Sequence, residues 1–137
     1  MTESNYFHVI MPVASDPGWQ KRRAAIEKAA SRHTADVRFP NYLPQAPTFR
    51  LSDLKQELLG ATFVLVDLTL ERPSCYYELG LAEALGVRVQ LVAECGTPIH
   101  QSAARDEVRY YATLDELEAI VDRAVSEFVP VLAKASS

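Results

Sequence analysis

Cysteine is scarce in this chain: Cys75 and Cys95 are the only two in 137 residues, and they stand apart, without the close pairing of a zinc site. His8, His33 and His100 carry no ligand-like spacing either. The sequence therefore implies no metal, and it implies no redox cofactor. An excess of basic charge is also missing. Fourteen Lys and Arg against 18 Asp and Glu leave a net charge of -4, which argues against a protein that coats polymeric nucleic acid. No apolar run approaches the roughly 18 residues of a membrane span. The opening MTESNYFHVIMP lacks the charged start and long apolar stretch of a signal peptide, so a cytoplasmic protein with reduced thiols is expected. Repeats, low-complexity segments and linkers are absent, and the length suits one domain over residues 1–137.

What is present alternates between two periods. Residues 6–13 (YFHVIMPV) form a nearly continuous apolar run, as in a strand covered on both faces. Asp16 and Pro17 read as N-cap and first residue of a helix to about Ser31. Residues 37–39 (VRF) form a short second strand. Three prolines in residues 39–49 make that stretch a loop able to cross the top of a site. Ser52 is expected to cap a helix that Gly60 stops. Residues 62–67 form a third strand, a helix runs from about Tyr76 to Leu85, and residues 87–93 form a fourth strand. Residues 108–111 are a fifth, and the capping box from Thr113 to Glu116 opens a final helix to about Ala133, with Pro130 as a kink. The pattern predicts an α/β protein: a three-layer, doubly wound, mostly parallel five-stranded sheet of Rossmann-like or flavodoxin-like type, helices on both faces.

In such sheets ligands sit at the carboxyl ends of the strands. Asp67 ends strand three and Glu78 falls in the expected first turn of the next helix, so both carboxylates are expected to converge there. The helix amino end favours an ionised Glu78, suited to a nucleophile or general base. An ionised carboxylate beneath an anomeric carbon can stabilise or attack an oxocarbenium-like centre while a second acid assists the leaving base. The same residues have plainer roles: strand-end aspartates cap turns, and early-helix glutamates complement the dipole. Ser15, Arg72 and Ser74 supply candidates for holding a phosphate near helix amino ends. Tyr76 or Tyr77 can stack on a base.

The segment VDLTLERPSCYYELGLAEALGVRVQLV resembles the signature of the nucleoside 2-deoxyribosyltransferase-like superfamily, with a strand ending in an acid and a helix beginning Tyr-Glu-Leu-Gly-x-Ala. FHVIMPVASDPGW resembles that group's first strand and loop, and RYYATLDELEAIVDRAV its tail, so the likeness covers essentially the whole chain. It implies N-glycosidic cleavage of, or base transfer on, a nucleoside or nucleoside monophosphate. Glu78 is then the nucleophile, Asp67 orients the sugar or the loop, and Asp53 acts near the leaving base. The first-strand aromatic, Tyr6 or Phe7, lines the base and phosphate pockets together with Met11, Pro12 and Ser15 of the following loop. Arg72 occupies the position of a phosphate-binding serine in the hydrolases, with Ser74 close by. The resemblance also implies a homodimer or higher homo-oligomer with a small-molecule nucleoside or nucleotide as partner. Two other readings follow from it: a noncatalytic nucleotide-sensing module, and a TIR-like effector that cleaves NAD.

Overall fold

The computed structural model describes residues 5–13, 16–39, 50–101 and 105–129. Five strands, β1 (Tyr6–Ile10), β2 (Asp36–Arg38), β3 (Val64–Asp67), β4 (Val89–Glu94) and β5 (Arg109–Tyr111), form one all-parallel sheet in the order β2-β1-β3-β4-β5. Four helices, α1 (Trp19–Ala30), α2 (Leu51–Gly60), α3 (Pro73–Ala84) and α4 (Leu114–Phe128), cover it. The strand order is that of flavodoxin-like doubly wound folds. The loop expected to cross the site lies, beyond Phe39, outside the described residues, as do Ser15 and Pro130. Among the described residues no helix is long and apolar enough to cross a membrane.

Side chains alternate across a strand, and here both faces are apolar because both are covered. Phe7, Val9 and Met11 with Phe63 and Leu65 face α1 and α4, while Ile10, Val64 and Val66 face α2 and α3. Phe7 stacks on Phe63 at 4.7 Å, and Phe128 closes on the same ring at 5.4 Å, tilted. That cluster joins β1, β3 and α4 through large aromatic surfaces.

Several helix ends differ from the sequence expectation. α1 begins at Trp19 with Gly18 as N-cap. Asp16 accepts from the Gly18 amide at 3.2 Å but turns its other oxygen to Arg22, so it serves as an ion-pair partner rather than a cap. Ser52 lies inside α2, whose N-cap is Arg50 in extended backbone. α3 starts three residues early because Pro73 takes its first position, where a missing N–H costs nothing. α4 has the expected capping box, yet ends at Phe128: Val129 is extended (φ -94°, ψ 129°), as a residue before proline is driven to be.

Gly60 ends α2 for a packing reason. Only Gly86 and Gly96 among the glycines have positive φ, whereas a Cβ on Gly60 would stand 2.5 Å from the Tyr6 hydroxyl. That hydroxyl is held by a 2.6 Å hydrogen bond to the Glu57 carbonyl, and Tyr6 is buried. Alanine would favour the helix by up to about 1 kcal/mol, but overpacking costs about 1–3 kcal/mol. Gly60→Ala is therefore expected to destabilise the protein in urea unfolding, and Tyr6→Phe in the same chain to recover part of the loss; additive losses would refute the clash.

Candidate functional site

Strand order reverses between β1 and β3, which is where a doubly wound sheet opens a crevice at its carboxyl rim. The register sets Ile10 beside Val66, so Met11 is level with Asp67 at that rim. Tyr6 lies five residues back, about 16 Å away at the amino end of the sheet. Its ring packs under the Arg38 guanidinium (3.7 Å) and its hydroxyl is committed to α2. Met11 and Pro12 reach the rim but are buried, Met11 in the core beneath α1 and α4.

Asp67 is wholly buried. Its Oδ1 accepts from the Thr69 amide (3.0 Å) and hydroxyl (2.6 Å), and its Oδ2 accepts from the Tyr111 hydroxyl (2.7 Å). Thr69 Oγ1 in turn accepts from the Glu94 amide at 2.9 Å. Arg22, itself buried, brings Nε to 3.5 Å from Asp67 Oδ2 and pairs with Asp16 through Nη2. One knot thus fastens the ends of β3, β4 and β5 to α1 and to the loop after β1.

The convergence expected of the two carboxylates is not what the fold produces. Asp67 continues the alternation of Phe63 and Leu65 and points toward α1 and α4, whereas α3 lies on the opposite face. Nor is Glu78 in the first turn of its helix. It is the sixth residue of α3, beyond the reach of the terminal dipole. Burial pushes its carboxyl above the ordinary glutamate value of 4.5.

Cys75, Leu79 and Ala82 form the stripe of α3 buried on the sheet. At about 100° per residue, Tyr76 and Glu78 occupy opposite margins of that stripe. The Tyr76 hydroxyl donates to Glu71 Oε1 (2.8 Å), whose carboxylate also receives the His100 amide (3.0 Å) and lies 3.0 Å from His100 Nδ1. That margin faces the segment after β4. The Glu78 margin accordingly faces α2 and β1, toward the reversal of strand order. Glu78 is half-buried and makes no hydrogen bond or ion pair with any described residue.

The turn into α3 is strained: Leu70 (φ 69°) and Glu71 (φ 47°) are successive non-glycine residues in the left-handed region. Such residues cost about 1–2 kcal/mol each and persist where surroundings hold them, here through the bonds to the Glu71 carboxylate. Those bonds, the Tyr76 hydroxyl first, keep Glu71 below the usual carboxylate range, and burial together with Glu71 pushes the Tyr76 phenol up to about 12.

Arg72 is the half-buried N-cap of α3, Ser74 is exposed at its second position, and Tyr77 is exposed. Asp53 is exposed in the first turn of α2, the helix that packs beside α3. The fold therefore gathers Glu78, Arg72, Ser74 and Asp53 on the α2–α3 side, places Asp67 across the sheet, and leaves Tyr6 at the far end. Burial, with the Glu78 and Asp67 charges adding, pushes the Cys75 thiol up to about 12, which removes it as a nucleophile at neutral pH. Among the described residues no group of three or more His, Cys, Asp or Glu is placed to hold a metal ion.

Sequence reasoning missed Arg22, though a signal was present: it shares the buried stripe of α1 with Ala25, Ile26 and Ala29, and a charge in an apolar stripe needs a partner. No protein-family model matches the chain, and no curated protein sequence matches it. What is established is the parallel α/β fold.

Two outcomes test this geometry. Arg22→Met leaves two buried carboxylates without a counter-charge, so a loss of about 3–5 kcal/mol is expected in urea unfolding; a neutral effect would remove the knot from the account. Glu78→Gln is expected to raise Tm. A carboxyl whose folded pKa exceeds its unfolded value contributes stability that is present at low pH and fades as pH climbs from 4.5 through the raised value. The melting advantage of the amide should therefore grow across that window and vanish below it. An advantage that does not vary with pH would contradict the raised value.

Proposed function

We propose that the protein cleaves the N-glycosidic bond of a nucleoside or nucleoside monophosphate, or transfers its base, with Glu78 as the nucleophile. The observation that carries this reading is a half-buried carboxylate with no hydrogen-bond or ion-pair partner among the described residues, beside the reversal of strand order. A partly desolvated glutamate without a partner is a candidate for a reacting group. The likeness of the CYYELGLAEALG segment to nucleoside 2-deoxyribosyltransferase-like proteins supports the same assignment.

In the reaction, a Glu78 oxygen bonds to the anomeric carbon as the carbon–nitrogen bond breaks, and the base departs with that electron pair and gains a proton. Asp53, in the first turn of the neighbouring helix, supplies it in this reading. Water or a second base then attacks the same carbon and releases the carboxylate. Arg72 and Ser74 at the amino end of α3 hold an anionic group of the substrate. Asp67 acts at one remove, fixing the loop through Thr69. Asp53 and Ser74 are exposed in the single chain, and a second copy closing over them completes the site in this reading.

Incubation with nucleosides, nucleoside monophosphates and NAD, followed by chromatography, is the test. Free base from the first two classes is expected, reduced roughly a thousandfold or more by Glu78→Gln. Nicotinamide alone would favour a NAD-cleaving effector, and binding without cleavage a sensor. Base release untouched in a folded Glu78→Gln protein would end the mechanism.

A further inference from the structure

A hollow opens on the face of the sheet that α1 and α4 cover. It has a volume of about 220 Å³ and lies where the amino ends of α1 and α4 meet the carboxyl ends of β4 and β5, lined by Gly18, Lys21, Arg22, Glu94, Tyr111 and Leu114 among others. That is room for a small molecule, below the roughly 300–1,000 Å³ of pockets for drug-sized ligands. Because α3 and Glu78 are on the opposite side, the hollow is separate from the site proposed above.

Its charges are arranged unusually. Arg22, in its floor, is already matched by Asp16 and Asp67. Lys21 and Glu94 both line the hollow, yet they form no ion pair with each other, and neither side chain pairs with any other described residue. Opposite charges close enough to share a wall, but not joined, leave space for something carrying the complementary pair. The rest of the wall is Gly18, Tyr111, Ala112, Thr113 and Leu114.

We propose that this hollow binds a small zwitterion of the free α-amino acid class. The carboxylate lies against Lys21, the ammonium against Glu94, and the side chain against Tyr111 and Leu114. A simple anion would meet Glu94, and a simple cation would meet Lys21. A ligand that carries both charges satisfies both groups. Arg22, Tyr111 and the Glu94 backbone also belong to the knot around Asp67, so the occupant touches the groups that fix the turn into α3.

The test uses the full chain, with L-alanine, L-leucine and L-phenylalanine as probes and amide NMR shifts as the readout. At least one is expected to give saturable shifts centred on Gly18, Lys21, Ala112 and Leu114. Its carboxamide, which lacks the carboxylate, and its N-acetyl form, which lacks the ammonium, should each bind about tenfold or more weakly, a loss of about 1.4 kcal/mol. Lys21→Met should abolish the discrimination against the carboxamide, and Glu94→Gln that against the N-acetyl form. Both substitutions sit at the open lining and spare the knot. The proposal is overturned if no probe gives saturable shifts by about 10 mM, the millimolar limit of weak recognition. Equal binding of all three forms, or variants that keep both discriminations, would overturn it too. Base release by Glu78 is not part of the readout, so the two proposals stand or fall separately.

Discussion

The Arg22 guanidinium is enclosed by protein with a carboxylate on either side, and the carboxyl rim of the sheet is organised around it. Transferring those three charges out of water is costly, and their mutual attraction in a low-dielectric interior offsets the cost only while all remain in place. An apolar cluster at the same place tolerates sliding, whereas a planar guanidinium between two carboxylates, with a tyrosine and a threonine hydroxyl filling the remaining lone pairs, tolerates little. The ends of three strands are consequently held in one arrangement, and the chain leaves β3 in one direction.

That direction separates two kinds of chemistry. The two-residue period of β3 sends Asp67 to the face covered by α1 and α4, while the crossover that follows must lay α3 on the other face to remain right-handed. Eleven residues separate Asp67 from Glu78 in sequence, and a whole sheet separates them in space. One acid is fully satisfied and structural in its contacts. The other is half-buried and pairs with no described residue.

Much of this was legible in the sequence. Unbroken apolar strands alternating with helices required a parallel sheet covered on both sides, and Thr113 with Glu116 marked the start of α4 because both halves of that capping box are local. What could not be read was either nonlocal or hidden by a competing signal. The tyrosine pair beside Glu78 drew the start of α3 forward, although Pro73 marked it, and the displacement of one turn reverses the electrostatic expectation for Glu78. Asp16 has the composition of a cap, but a partner six residues on, in the buried stripe of α1, outcompetes the helix amides for one of its oxygens. Gly60 looks like a stop signal in one dimension; in three, the hydroxyl of a residue 54 positions earlier occupies the space. The hollow lined by Lys21 and Glu94 joins residues from opposite halves of the chain, and no periodicity announces it.

The left-handed pair Leu70 and Glu71 has a consequence for how the acid of α3 is aimed. A turn built from glycines would enter the helix at many azimuths, whereas a β-carbon on each of two residues restricts the entry to a narrow torsional window, which the fixed Glu71 carboxylate then selects. A rigid rod transmits that choice along its length. The compass bearing of Glu78 is therefore decided seven residues upstream, by backbone chirality rather than by anything that touches it.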